Sequence, residues 1–187
     1  WITFFKERTP LGSYGLLAMG PAISGSMLTH QLNFLLIACA FMGFFLFLIV
    51  LRMMDEYKDF DKDILAHPTR PLPRGLIALA DFHRGVFIGI FGLVVFALFL
   101  LLAGNFWAFA LYSFVIGHLW LMYKEFYIPK WLNERPLLYA ISHQLILISL
   151  CFFCLSLFTH KGNELFYSRI HWGYALSVLF SFFCLNS

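Results

Sequence analysis

The residues of this chain that could do chemistry concentrate between Arg52 and Gly75, in the run RMMDEYKDFDKDILAHPTRPLPRG. Five of the ten Asp and Glu residues lie there, and six of the thirteen Lys and Arg if Arg84 is added. Asp55, Asp59 and Asp63 follow one another at four-residue spacing, with Glu56 beside the first. On a helix that spacing forms one gently drifting stripe. Like charges so placed repel by roughly a few tenths of a kcal/mol per pair. Arg52 and Lys62 share the face and offset part of the repulsion, and a divalent cation would offset more. Mg²⁺ usually takes one or two carboxylates together with water and substrate phosphates, so Asp55, Glu56, Asp59 and Asp63 are candidate metal ligands. A solvated helix end of mixed charge carries the same pattern, and spacing alone leaves both readings open.

The elements that must position these residues are almost pure hydrocarbon. Hydrophobic residues make up 61% of the chain and charged ones 12%, Phe alone contributes 24 residues, and the mean hydropathy is +0.80. Such a composition indicates an integral membrane protein. Six apolar runs read as spans: residues 11–28, 34–51, 85–103, 106–123, 137–158 and 170–187. Each is close to the ~20 residues needed to cross a bilayer. The first is the weakest, with four glycines and Pro21 inside it, features that close helix packing in lipid tolerates. The expected fold is therefore an all-α, polytopic transmembrane bundle without a separate soluble domain.

Alternating the spans puts the N-terminus, the 52–84 loop and the 124–136 loop on one side. Eleven of the thirteen Lys and Arg fall there, against Lys161 and Arg169 on the other. The positive-inside rule makes that side cytoplasmic, so the acidic stretch is expected to face the cytoplasm. His118, near the end of span four, and His143, near the start of span five, both lie about 8–9 Å inside that face. Ser142 and Gln144 flank the second histidine. These groups could line a pocket or bond neighbouring helices. Lys124, at the mouth of span four, could neutralise a bound anion or simply snorkel to the interface. Cys39, Cys151, Cys154 and Cys184 all sit in apolar runs and read as small buried residues, not as redox or zinc ligands. Nucleic acid is not an expected partner, because the net charge of +3 includes no basic cluster free of matching acids.

Taken with its surroundings, the acidic stretch resembles a family motif. Asp55-Glu56-x-x-Asp59-x-x-x-Asp63, followed by Arg70-Pro71-Leu72-Pro73-Arg74-Gly75, is similar to the first aspartate-rich motif of the UbiA-type intramembrane prenyltransferases. In that family the pattern NDxxDxxxD is followed by RPxxxG in the loop after the second span. The lead-in Lys6-Glu7-Arg8-Thr9-Pro10-Leu11 is similar too. The resemblance implies a bundle of about nine spans around a cavity. It implies binding of a polyprenyl diphosphate through Mg²⁺ and transfer of the prenyl group to a lipophilic, often aromatic, acceptor. Asp55, Asp59 and Asp63 take the metal positions, with Glu56 alongside. Arg70 and Lys124 become candidates for the diphosphate, and Arg52, His118 and His143 further substrate contacts. The opening pair is Asp55-Glu56 where the family has Asn-Asp, and Lys124-Glu125 stands where a Lys-Arg pair is common. The second acidic motif, expected after span six, is not in the chain. With Trp1 in place of an initiating Met, this leads us to expect a piece covering about two-thirds of such an enzyme, inactive by itself. A CDP-alcohol phosphotransferase is disfavoured by the lack of a DGxxAR signature. The alternative is a transporter or non-catalytic membrane protein, which explains the hydrophobicity but not the carboxylate spacing beside RPLPRG.

Overall fold

The computed structural model describes the backbone of residues 1–159 and 162–186, and the side chains of 1–159 and 164–181. Among these residues the chain is helical throughout, without strands. The elements are α1 (Ile2–Arg8), α2 (Leu11–Leu28), α3 (Phe34–Lys58), α4 (Phe60–Ala66), α5 (Leu79–Leu102), α6 (Phe106–Tyr123), α7 (Pro129–Asn133), α8 (Pro136–Gln144), α9 (Ile146–Phe158), α10 (Gly162–Tyr167) and α11 (Arg169–Asn186).

Among the described residues four stretches are long and apolar enough to cross a membrane: α3, α5, α6 and the pair α8–α9. The protein is thus a multi-pass membrane protein, with four such helices where six spans are expected from the sequence. α2 and α11 are the two that fall short. Gly12, Gly15, Gly20, Gly25, Pro21 and three serines dilute α2, while Arg169, His171, Gly173 and two serines dilute α11. The end of the expected sixth span, including Cys184 and Ser187, lies outside the described side chains. Both helices are nonetheless tied into the bundle. Arg8, just before α2, reaches Glu56 near the end of α3, and Tyr174 of α11 donates to the Pro21 carbonyl of α2. In α2 only Pro21, Gly25 and Ser26 of these residues are buried in helix contacts, and in α11 only His171; Gly12, Ser13, Gly20, Arg169, Gly173, Ser177 and Ser181 are exposed, so the dilution lies largely on the outer faces.

α9 is the axis. In the α8–α9 span 61% of the window is buried inside the protein, against 22–33% for the other three, so α9 is surrounded while they border the exterior. Gly25 brings α2 against it: a Cβ there would sit 3.4 Å from the Cys154 carbonyl oxygen. Gly43 of α3 marks the tightest crossing, where a Cβ would fall 2.7 Å from both Phe153 and Phe96. Tyr112 of α6 completes that cluster, donating to the Gly43 carbonyl at 2.8 Å, with its ring 4.8 Å from Phe153 and 5.0 Å from Phe96. Four helices therefore meet at one glycine. The cysteine reading holds where it can be seen, since Cys151 and Cys154 are buried and free and Cys39 is half-buried and free.

The connections into α3 and α6 are short and capped. Asn33 accepts from Leu35 and Leu36 to start α3. Asn105 accepts from Ala108 to start α6, and its amide donates to the Ser156 carbonyl at 3.1 Å, fastening that corner to the end of α9. Gly104 supplies the left-handed turn (φ 79°) between α5 and α6. The expected fifth span is divided at Leu145, between α8 and α9, although Leu145 keeps right-handed helical angles and its N–H still donates to Ile141 O at 3.0 Å.

Candidate functional site

The acidic stripe survives folding almost intact. α3 continues past the apolar run as far as Lys58, and α4 takes over at Phe60. Asp59 is the hinge, yet its N–H donates to Asp55 O at 2.9 Å and its carbonyl accepts from Asp63 N at 2.8 Å. The i,i+4 ladder thus runs through the break and keeps the three aspartates on one backbone track.

Their side chains do not have equal partners. Glu56 is buried and its Oε1 accepts from Arg8 Nε at 2.6 Å and Arg52 Nη2 at 2.5 Å. Its Oε2 is buried with no partner, as is Arg52 Nε. Asp63 is also buried, and both its oxygens lie 2.6 Å from Arg70 Nη1. The carboxylate beside it holds the Arg70 guanidinium above even its usual high range. Asp59 is more open and pairs only with exposed Lys62, at 3.4 Å. Asp55 is half-buried and makes no hydrogen bond or ion pair among the described residues, although Lys58 and Arg52 act on it through space. Two carboxylates are therefore clamped by arginines, and two are left available.

The proline-rich tail that follows is what aims Arg70. Arg74 N donates to Arg70 O and Leu76 N to Pro71 O, closing compact turns in which Pro71 and Leu72 are buried. Gly75 ends them with φ 77°, a left-handed value that an L side chain rarely adopts. Arg74 then reaches back to Glu7 of α1 at 2.8 Å. With Arg8 on Glu56, the N-terminal lead-in is bound to the acidic stretch at two points. Tyr14 of α2 lies within electrostatic reach of Arg52, Asp55, Arg8 and Glu56.

A second polar group adjoins the first through Lys58. Its ammonium donates to Tyr139 Oη at 2.9 Å and lies 3.7 Å from Glu125. Tyr139 stacks on His143, with centroids 4.1 Å apart, and Phe126 sets its ring between His143 and His118 at 5.9 and 5.7 Å. His118 Nε2 lies 3.0 Å from the Ser142 carbonyl, and His143 Nδ1 2.9 Å from the Tyr139 carbonyl. Each ring therefore places an N–H on a backbone oxygen. This leaves His143 Nε2 as a buried acceptor without a donor, and Gln144 Oε1 is another. The fold brings the two histidines to either side of the Phe126 ring. Lys124 stays exposed, its ammonium 5.2 Å from the Trp120 ring and 5.1 Å from the Tyr123 ring.

For the expected metal the arrangement is sparse. Among the described residues no three His, Cys, Asp or Glu side chains come together as a metal group. Asp55 and Asp59, with the orphaned Glu56 Oε2 near by in sequence, still suit an ion that takes only one or two carboxylates and fills its remaining positions from water and phosphate. Four contributors escape sequence reading: Arg8, Lys58, Tyr139 and Glu125. Each is far from its partner along the chain, Arg8 by 48 residues from Glu56 and Lys58 by 81 from Tyr139; the one local signal is the place of Lys58 inside the acidic run. Comparison of the chain with protein-family models, with curated proteins and with solved structures finds no match.

Proposed function

We propose that this chain is part or all of a Mg²⁺-dependent intramembrane prenyltransferase of the UbiA type. Its substrates are a polyprenyl diphosphate and a lipophilic acceptor, and its acidic face is cytoplasmic. The observation that carries this reading is the unequal treatment of the acidic stretch. Arginines neutralise Glu56 and Asp63, while Asp55 and Asp59 are left without arginine partners at the polar end of an apolar bundle.

In this reading Asp55 and Asp59 hold Mg²⁺, with Glu56 Oε2 and Asp63 behind them. The ion supplies charge stabilisation for a diphosphate as it leaves. Arg52 and Arg70 already stand beside the carboxylates and can turn part of their donor capacity to phosphate oxygens, a task for which a guanidinium is well shaped. Lys124 waits at the mouth of α6 as a further cation. The Phe-rich bundle accommodates the prenyl chain and excludes water. His118 and His143 border the acceptor, because His143 Nε2 is an acceptor in want of a hydroxyl or N–H donor.

The test is Mg²⁺-dependent binding of a polyprenyl diphosphate to the protein in membranes, with Asp55→Ala/Asp59→Ala as control. Metal-dependent binding lost in the double variant supports the proposal. Binding that is absent, or unchanged by the substitutions, overturns it in favour of a transporter or non-catalytic membrane protein.

A further inference from the structure

The segment joining α6 to α8, residues 124–135, has to lie at the membrane boundary because an apolar span enters and another leaves. It does so through an unusual backbone. Glu125, Phe126 and Tyr127 have φ of 48°, 53° and 60°, three successive left-handed residues without a glycine. Each such residue is costly for an L side chain, and strain of this kind persists only where surrounding contacts enforce it.

The contacts show what the turn achieves. It swings Glu125 inward, onto Lys58, where its side chain is only 14% exposed. It sets Phe126 against the two histidines and throws Tyr127 outward, 67% exposed. α7 follows, pinned by buried Leu132, with Ile128 and Trp131 facing out. The acid that could neutralise this surface has been drawn inside, while the cations remain on it. Lys124 sits against Trp120 and Tyr123, Lys130 is exposed, and Arg135 lies over the Trp131 ring at 4.4 Å. Glu134 is the outward acid, 3.6 Å from Arg135 in a solvent-exposed pair. Three cations against one acid, interleaved with aromatic rings at headgroup depth, complement a negatively charged interface.

We infer that residues 124–135 form a docking surface for anionic phospholipid headgroups, with Lys124, Lys130 and Arg135 meeting the phosphate and Tyr127 and Trp131 set among the upper acyl chains. Of these residues only Lys124 also figures in the prenyltransferase reading, and Lys130, Arg135, Tyr127 and Trp131 carry the inference without it. Each cation near such a surface favours the anionic lipid by several-fold, so two or three acting together give a preference on the order of tenfold or more over a zwitterionic lipid.

The experiment uses the purified full chain in a neutral detergent. Dioleoyl phosphatidylglycerol or dioleoyl phosphatidylcholine is titrated while bound lipid is counted by native mass spectrometry. Phosphatidylglycerol is expected to bind at roughly tenfold lower concentration. Lys124→Gln/Lys130→Gln/Arg135→Gln should abolish that preference, whereas Lys62→Gln/Arg84→Gln, at two other exposed cations, should keep it. An equal response to the two lipids, or a triple variant that retains the preference, overturns the inference. So does inorganic phosphate displacing phosphatidylglycerol at matched concentration, since the site would then be one for a soluble anion. If the triple variant does not fold, quenching of tryptophan emission by brominated lipids in vesicles decides. It should be greater with brominated phosphatidylglycerol than phosphatidylcholine, and the excess should vanish in Trp131→Phe. An excess that persists in Trp131→Phe refutes the placement.

Discussion

Replacing Arg70 by Ala separates the two roles that the acidic stretch combines. The substitution leaves the Asp63 carboxylate, with 8% of its side chain exposed, without the guanidinium that touches both its oxygens. Breaking a fully buried pair costs about 3–5 kcal/mol, but the Arg70 side chain is 28% exposed and water can reach in, so about 2 kcal/mol is expected here. In a domain of this size that is a fall in Tm of roughly 4–8 °C. Asp63→Asn added to Arg70→Ala should recover about half of the loss, because an unpaired amide is far easier to bury than an unpaired charge. Asp55→Asn and Asp59→Asn should behave in the opposite way. The Asp59 pair with Lys62 is exposed, so Asp59→Asn should change stability by no more than about 0.5 kcal/mol, and Asp55→Asn, which replaces an unpaired half-buried charge by an amide, should not lower it, while binding of Mg²⁺ and diphosphate is lost in both. Thermal unfolding in detergent, followed in parallel with ligand binding, reads both effects. If Arg70→Ala leaves Tm unchanged, or Asp55→Asn and Asp59→Asn lower it as much, the division of the carboxylates into clamped and available is refuted.

Other substitutions probe the scaffold. Gly43→Ala places a methyl group 2.7 Å from two phenyl rings, and overpacking of about 1–3 kcal/mol should outweigh the gain of at most about 1 kcal/mol in helix propensity. Unfolding of the variant, with and without Phe153→Leu to make room, measures it; rescue by the second substitution is expected. Gly75→Ala has open space for its Cβ but a φ of 77°, so a loss of about 1–2 kcal/mol should come from the backbone alone, read as a fall in Tm. Tyr139→Phe removes the bond from Lys58 and should cost about 1 kcal/mol, with the Lys58–Glu125 pair surviving. Measured against Glu125→Gln in a double-variant cycle, the two should prove coupled, since both act on one ammonium.

The sequence by itself determined the class of this protein and the track of its chemistry. Hydrocarbon runs of span length can only be helices in a bilayer, since every backbone group must be satisfied within its own segment. The four-residue spacing of Asp55, Asp59 and Asp63 is a local property of a helix, and it passes through the break at Asp59 unharmed. Capping by Asn33 and Asn105 and the turn at Gly104 are local in the same sense. Which runs cross was less legible. α2 and α11 have the length of spans but are diluted by small and polar residues, and only the packed structure reveals that a few of these, Pro21, Gly25, Ser26 and His171, are buried while the others stay exposed. The division among the carboxylates was only partly local: Arg52 reaches Glu56 from one turn away and Arg70 reaches Asp63 across seven residues, but the second clamp on Glu56 comes from tertiary structure. Nothing near Glu56 in sequence announces Arg8, 48 positions away, and nothing near Lys58 announces Tyr139, 81 positions away. Pairwise charge partners depend on which helix ends meet at one face of the bundle, and hydrophobic pattern constrains helix faces without specifying those meetings. The left-handed turn at Glu125–Tyr127 belongs to the same category, because its residues have no local preference for that conformation and adopt it only where Lys58, His118 and His143 hold them.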